Sequence, residues 1–180
     1  MSPRFILAHD FITDRECDLL IGVGSEAGFA RCKVGVGVDA RVSTIRTSEG
    51  VFLKGPFAQY DIVKAVERRI YQFSGLHCDG EPMQVVRYRV GQDFQHHFDN
   101  SKNDISREVT CIIYLNDVEE GGCTDFPDAS PVSKTIESDM EKKSKFFGMP
   151  SETGKRGLAI KPRKVSPQIM LPIALTANAS

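Results

Sequence analysis

QVVRYRVGQDFQHHFD, residues 84–99, carries the clearest indication of fold class in this chain. Residues 83–90, MQVVRYRV, contain three valines and a tyrosine, which favours a strand, and Gly91 marks a turn. Residues 94–99 then predict the next strand. The stretch therefore predicts part of a β-sheet.

A His-x-Asp pair, His97 and Asp99, ends this stretch. Side chains of a strand alternate between its two faces, so both should point to one side while Phe98 points into the opposite layer. An imidazole beside a carboxylate supplies two of the three ligands of a facial triad, which holds non-haem Fe(II) and leaves other positions open. An ordinary solvent-exposed strand would show the same pattern, so the pair alone leaves both interpretations open.

Composition limits the class of protein. The chain has 180 residues, of which 41% are apolar and 26% charged, as in a soluble globular protein of about one domain. A formal net charge of -1 argues against nucleic acid or an anionic membrane surface as the main partner, because neither would be strongly attracted. The apolar run at residues 5–8 is too short for a signal-peptide core or a membrane span, so we expect either a cytosolic protein or one whose leader or anchor is not part of this sequence.

The cysteines predict neither a zinc site nor a redox motif. They are five in number and show no C-x-x-C spacing: Cys17, Cys32, Cys78, Cys111 and Cys123. Cys17 falls on an apolar helix face and Cys111 in an apolar strand, so both should be small buried hydrophobes. Cysteine usage therefore does not fix the compartment.

Two helices are predicted before residues 84–99. Thr13-x-x-Glu16 has the form of a capping box and starts a helix over residues 14–27, which Gly28 ends. Apolar residues at a spacing of 3.6 predict the second helix over residues 59–74. The charged residues of that helix form a solvated face.

Short strands should surround these helices. Glycines and β-branched residues over residues 32–53 predict strands with turns at Gly35, Gly37 and Gly50. The apolar residues 109–115 predict a buried strand. A helix pair followed by short strands points to an α+β fold with a β-sandwich or jelly-roll core.

The last third of the chain changes character. Residues 130–156 are rich in Ser, Lys, Glu and Asp without an apolar period, which predicts a mobile loop or insertion. Residues 157–160 should return the chain to the sheet. Residues 165–180 contain two prolines and no charged residue, so neither a strand nor an amphipathic helix is favoured there.

From residue 5 to residue 164 the chain resembles the catalytic domain of prolyl 4-hydroxylases, the Fe(II)- and 2-oxoglutarate-dependent dioxygenases, of the plant and algal type. Four segments in the family's order carry the resemblance: RTSEGVFL at 46–53, QVVRYRVGQDFQHHFD at 84–99, YLNDVEEGGCTDFP at 114–127 and GLAIKPRK at 157–164. Cys123 stands where the family usually has Glu, which puts details of that loop in doubt and not the site.

The resemblance implies a fold and an activity. The fold is α+β, with a double-stranded β-helix (jelly-roll) core flanked by two N-terminal helices over residues 1–164. The activity is hydroxylation of peptidyl proline to 4-hydroxyproline, with Fe(II), 2-oxoglutarate as co-substrate and L-ascorbate as reductant. The implied partner is a proline-containing peptide or protein, and the implied compartment is the endoplasmic reticulum.

It also implies roles for individual residues. His97 and Asp99 would bind the metal, while Tyr88 and Thr110 would line the 2-oxoglutarate site. The peptide groove would lie near three consecutive residues, Arg46, Thr47 and Ser48. Without the resemblance, Tyr88 would be interpreted as a half-buried strand tyrosine. Residues 46–48 would be interpreted as part of a polar turn between strands.

Two residues of the family pattern are missing from this sequence. The family completes its site with a distal histidine and a nearby lysine, but no Lys or Arg follows Lys164 and the histidines are His9, His77, His96 and His97. We therefore expect weak binding of iron and 2-oxoglutarate, absence of the last core strands, and an unstable or inactive chain. A non-catalytic jelly-roll fragment that binds peptide or a partner subunit, and an oxygenase acting on another substrate, remain alternatives.

The tail departs from the family directly after Lys164. Lys-Val-Ser can be encoded by the consensus of a eukaryotic 5′ splice donor, which leads to the hypothesis that residues 165–180 are translated intron. We expect this tail to be disordered and to lie outside the domain.

Overall fold

The computed structural model describes residues 11–35, 38, 40–75, 81–99, 109–127, 148–149 and 158–162. The chain divides into two compact units, one formed by Asp10–Arg107 and the other by Met1–His9 with Glu108–Ser180. The single domain that we predicted over residues 1–164 stays a prediction, and so does the disordered tail, because residues 165–180 lie outside the described part.

Helix α1 (Asp14–Ala27) has the bounds that the sequence predicts. The Thr13 hydroxyl accepts a hydrogen bond from the Glu16 backbone N–H at 3.3 Å, and the Glu16 carboxylate accepts one from the Thr13 N–H at 2.7 Å. This reciprocal pair is the predicted capping box. Gly28, with φ 84°, ends the helix.

Helix α2 (Asp61–Ser74) begins two residues later than predicted. A 3₁₀-helix at Gly55–Gln59 precedes it, so the Pro-containing segment forms a tighter turn before the α-helix starts. Gly75 ends α2 in the left-handed conformation at φ 72°, and its N–H donates to the Tyr71 carbonyl at 2.8 Å. Both glycine stops that the sequence predicted are therefore confirmed.

Arg69 of α2 holds the start of α1. Its Nη2 donates to Glu16 Oε1 at 2.8 Å, and its Nη1 donates to Glu16 Oε2 at 3.1 Å and to the Phe11 carbonyl at 2.6 Å. The hydrogen bond from Arg69 is the main reason why the pKa of Glu16 falls from 4.5 to about 2, and burial opposes it. The ion pair therefore stabilises the folded chain only while Glu16 is ionised.

We expect Glu16→Gln to lower the free energy of unfolding at pH 7 by about 1 to 2 kcal/mol, a value reduced for the partly exposed Arg69 side chain. Because the pKa of Glu16 is depressed on folding, its contribution is complete above about pH 4.5 and is lost as the pH falls through about 2. Urea unfolding of both proteins across this range should show the difference shrinking. A difference that stays constant down to pH 2 would contradict the assignment.

The described part of the Asp10–Arg107 unit contains five strands: β1 (Ala30–Arg31), β2 (Lys33–Val34), β3 (Arg41–Val42), β4 (Glu49–Phe52) and β5 (Gln84–Arg87). Strands β1, β4 and β5 form an antiparallel sheet with β4 in the centre, and β2 pairs with β3. Helix α1 contacts α2, β4 and β5. The core between them consists of buried apolar side chains: Cys17, Leu20, Val23, Cys32, Leu53, Val63, Val66 and Val85.

Gly50 lies inside β4 and not at a turn, so that part of the prediction is wrong. A Cβ atom at Gly50 would lie 2.8 Å from the Cys32 sulfur and 3.2 Å from the Val85 carbonyl oxygen. Close packing between neighbouring strands therefore requires glycine here. Gly35, with φ 87°, does lie at a bend, while Gly37 is outside the described residues.

The buried strand predicted over residues 109–115 is also wrong. Only Ile112 takes part in a β-bridge, and the whole segment is half-buried, Cys111 included. An apolar β-branched run favours extended backbone, but a strand also needs a partner along its length, which a single sequence does not reveal. The prediction for Cys17 is confirmed, since that side chain is fully buried.

The second unit contains an antiparallel sheet of β6 (Thr124–Phe126), β7 (Gly148–Met149) and β8 (Leu158–Ile160), with β8 in the centre. The predicted return of the chain to a sheet near residue 158 is confirmed. Gly148–Met149 forms a strand where a loop was predicted, because its backbone pairs with β8. The rest of residues 130–156 lies outside the described part.

Helices and antiparallel sheets confirm the predicted α+β class. Within the described ranges, no helix has the length and apolar character needed to cross a membrane.

Candidate metal centre

A tight turn directs the chain from the sheet toward the His-x-Asp pair. Strand β5 ends at Arg87, three residues earlier than predicted, and Gly91 then adopts φ 80°. The Gln92 N–H donates to the Arg89 carbonyl at 3.0 Å, and the Gln92 side chain accepts from the Arg89 N–H at 2.7 Å. The turn predicted at Gly91 is therefore confirmed.

Beyond this turn, residues 93–95 pair with residues 45–47. The Thr47 N–H donates to the Asp93 carbonyl and the Gln95 N–H donates to the Ile45 carbonyl, each at 2.8 Å. These bonds enclose an isolated antiparallel bridge between Arg46 and Phe94. The strand predicted over residues 94–99 is wrong beyond Phe94, because the pairing ends there.

The Thr47 hydroxyl strengthens this attachment. It accepts a hydrogen bond from the Asp93 N–H at 2.6 Å and lies 3.1 Å from the Asp93 carboxylate. The Arg31 guanidinium in turn donates to the Thr47 carbonyl. The segment that leads to the pair is thus fixed to the sheet by backbone and side-chain bonds.

His97 and Asp99 face each other, as the alternation of side chains predicts. His97 Nε2 lies 3.4 Å from Asp99 Oδ1, and the two side chains are 40% and 38% exposed. On the neighbouring positions, the rings of His96 and Phe98 contact each other with centroids 5.7 Å apart. Phe98 is 77% exposed, so the prediction that it enters a buried layer is wrong. Among the described residues, none beyond Phe94 in this stretch belongs to a strand that would place Phe98 in a layer.

The hydrogen bond of His97 Nδ1 bears on whether Nε2 is available to bind a metal. Nδ1 lies 2.7 Å from the Gln95 carbonyl oxygen, which can only accept a hydrogen bond, so Nδ1 carries the proton. When the ring is protonated, Nε2–H points toward Asp99, and when the ring is neutral, the Nε2 lone pair points there instead. A metal-binding histidine usually makes this kind of bond with its non-ligating nitrogen.

The spacing of the pair fits a metal ion. Two donors at about 2.1 Å from an octahedral metal and at right angles to each other lie about 3 Å apart. The observed 3.4 Å between His97 Nε2 and Asp99 Oδ1 is close to that value. Without a metal, the hydrogen bond to Asp99 raises the pKa of His97, while burial and the Arg46 charge lower it. A metal cation can replace the proton that lies between His97 Nε2 and Asp99 Oδ1 when the imidazole is protonated.

Phe94 supports the His97 ring. The two rings stack with centroids 3.7 Å apart and planes 18° from parallel, and the Arg46 guanidinium carbon lies 4.8 Å from the Phe94 centroid. Sequence reasoning missed Phe94, Gln95 and this use of Arg46. A backbone carbonyl carries no side-chain signal, and the Arg46 contact joins distant parts of the chain.

Within the described residues, no group of three His, Cys, Asp or Glu side chains is placed to hold a metal. The pair supplies two donors. His9 and His77 lie outside the described part of the chain.

The other predicted site residues lie in different places. Tyr88 directly follows β5 and is 47% exposed, whereas Thr110 belongs to the second unit and is half-buried. Ser48 is fully buried, and Arg46 and Thr47 bond to neighbouring protein groups. The co-substrate and substrate roles of these residues stay predictions.

Comparison with known proteins agrees with the interpretation of His97 and Asp99 as candidate Fe(II) ligands. Residues 83–164 match the family model of the 2OG-Fe(II) oxygenase superfamily. In Arabidopsis thaliana, probable prolyl 4-hydroxylase 3 is 34% identical over 173 residues, which cover 90% of this chain and 56% of that protein. Prolyl 4-hydroxylase 2 of the same plant is 36% identical over 173 residues, which cover 91% of this chain and 54% of that protein.

Residues 83–164 are thus similar in sequence to the 2-oxoglutarate and Fe(II) oxygenases. The chain is related to plant prolyl 4-hydroxylases across most of its length, as the resemblance predicted. The chain spans about half the length of the curated relatives it matches.

Proposed function

We propose that the chain forms the catalytic core of an Fe(II)- and 2-oxoglutarate-dependent oxygenase with a jelly-roll fold, which hydroxylates peptidyl proline to 4-hydroxyproline. The observation that carries the proposal is the pair His97 and Asp99, whose donor atoms lie 3.4 Å apart. The relatives named prolyl 4-hydroxylases support the choice of substrate. The family resemblance also supports the endoplasmic reticulum as its compartment.

In this proposal His97 and Asp99 hold Fe(II). The bound ion supplies positions for 2-oxoglutarate and O₂, with L-ascorbate as reductant. His97 contributes a neutral imidazole, because the Gln95 carbonyl keeps the proton on Nδ1. Asp99 contributes a negative charge that offsets part of the charge of the cation. Phe94 stacks on the imidazole and shields that face of the ring from water.

The remaining predicted residues complete the proposal. The exposed Tyr88 has a phenol hydroxyl that can donate a hydrogen bond to a carboxylate of 2-oxoglutarate, and Thr110 has a hydroxyl of the same kind. The segment Arg46 to Ser48 would border the path of the proline-containing peptide. These assignments rest on the family resemblance.

A second candidate function is a binding module without turnover. It is favoured by the donor count, since the described residues bring together two metal donors where a facial triad has three. Such a module would bind a proline-rich peptide and release no succinate.

One assay separates the candidates. The purified chain is incubated with Fe(II), 2-oxoglutarate and ascorbate, together with either a proline-repeat peptide or a matched peptide in which alanine replaces proline. If the proposal holds, succinate and 4-hydroxyproline are released in equal amounts with the first peptide only, against the inactivity that the missing distal histidine and lysine predict. Peptide binding without succinate would favour the binding module, and succinate release unaffected by either peptide would indicate another substrate.

A further inference from the structure

Arg46 reaches from the sheet to the ring that supports His97. Its Nε donates to Ser48 Oγ at 3.3 Å and its Nη2 donates to Gln84 Oε1 at 3.2 Å. Ser48 is fully buried directly before β4, and Gln84 begins β5. The guanidinium is therefore anchored to two parts of a rigid sheet.

The backbone brings Arg46 and Phe94 to the same side. Hydrogen bonds flank this residue pair on both sides without joining its own N–H and C=O groups. In antiparallel pairing this is the arrangement in which opposite side chains approach most closely. The guanidinium carbon accordingly lies 4.8 Å from the centre of the Phe94 ring.

Phe94 passes this restraint on to His97. A stack with centroids 3.7 Å apart restricts rotation of the imidazole, and the Gln95 carbonyl restricts it from the Nδ1 side. The plane of the imidazole decides where the Nε2 lone pair points. Such restraint is needed here, because the backbone around His97 lacks the support of a strand partner in the described part of the chain.

We propose that Arg46 is a positioning residue for the metal pair: anchored by Ser48 and Gln84, it fixes the Phe94 ring and through it the plane of the His97 imidazole. The inference rests on the proposed function, because it presupposes that His97 binds a metal. It gives Arg46 a role different from contact with the peptide substrate.

The test measures Mn(II) affinity of the full chain by electron paramagnetic resonance, without turnover. Arg46→Met keeps the aliphatic stem but removes the guanidinium, and Phe94→Leu removes the ring. Each should weaken Mn(II) binding about tenfold, the effect of removing a group that orients a ligand. The double variant should be no weaker than Phe94→Leu alone, since Arg46 acts through the ring.

Two control variants isolate the stack. Phe94→Tyr keeps the ring and should bind Mn(II) within about twofold of the parent chain. Arg87→Met removes a similar contact, because the Arg87 guanidinium lies 4.3 Å from the centre of the Phe29 ring. It should leave Mn(II) affinity unchanged. Urea unfolding of every variant shows whether a change in affinity merely follows a change in stability.

The outcomes are distinguishable. If the parent chain binds Mn(II) through His97 but Arg46→Met binds it equally well, only this inference fails. A raised KM for the peptide with unchanged Mn(II) affinity would also overturn it and assign Arg46 to the substrate. If the parent chain binds no Mn(II), both this inference and the proposed function fail.

A second variant covers the case in which Arg46→Met does not fold. Arg46→Lys keeps the positive charge but cannot bond to Ser48 and Gln84 while covering the ring, so affinity should still fall by about threefold or more. Affinity equal to that of the parent chain would overturn the proposal.

Discussion

The His97→Ala variant is expected to bind Mn(II) or Fe(II) about 100-fold more weakly than the parent chain, or not measurably, and to release no succinate from 2-oxoglutarate. The substitution removes one of the two donors that lie 3.4 Å apart. Asp99 would then bind the metal without His97, and a water molecule would have to replace the imidazole. It also removes the group that the Gln95 carbonyl and the Phe94 ring hold in place. Titration with Mn(II) measures the loss directly.

His96→Ala is the matched control. His96 is adjacent in sequence, and its ring contacts the Phe98 ring with centroids 5.7 Å apart. We expect its metal affinity to equal that of the parent chain. An equal loss in both variants would mean that histidine removal acts through the local backbone. Unchanged binding in His97→Ala would remove this residue from the site.

The second large effect concerns stability. Gly50→Ala is expected to lower the free energy of unfolding by about 2 kcal/mol or more, in the range observed for overpacking. The new Cβ would lie 2.8 Å from the buried Cys32 sulfur and 3.2 Å from the Val85 carbonyl oxygen. Because β4 is the central strand of its sheet, moving it would disturb hydrogen bonds on both sides. Urea unfolding measures the loss.

Gly22→Ala provides a control of opposite sign. Gly22 lies on the exposed side of α1, and a Cβ there would meet no atom within 4 Å. Alanine is the better helix former, so this variant should be about 0.5 to 1 kcal/mol more stable than the parent chain. Combining Gly50→Ala with Cys32→Ala should recover part of the loss, since the nearest clashing atom is removed. Two glycine variants of equal stability would refute the packing argument.

Local signals explain why the helices could be predicted from the sequence. The capping box of Thr13 and Glu16 and the glycine stops act between residues a few positions apart. Strand limits depend on partners elsewhere in the chain, which explains the errors at Gly50 and over residues 109–115. A glycine that permits close packing of strands has the same letter as one that forms a turn.

In the candidate site, too, local sequence predicts some features, while contacts between distant residues determine the others. His97 and Asp99 could be predicted as neighbours because alternation is a property of adjacent positions in an extended chain. The support of this pair comes from contacts at long sequence separation, such as Thr47 with Asp93, 46 residues apart. The Gln95 carbonyl is a main-chain atom, and its place depends on the turn that precedes it.

The attachment of residues 93–95 to residues 45–47 bears on how the protein can be dissected. The family match starts at residue 83, so a recombinant fragment trimmed to it would keep both candidate metal donors and lose residues 45–47, which pair with residues 93–95. The segment that carries His97 and Asp99 would then lack its hydrogen bonds to residues 45–47. A minimal unit for spectroscopy has to retain both stretches, because the backbone that pairs with residues 93–95 lies outside the matched segment.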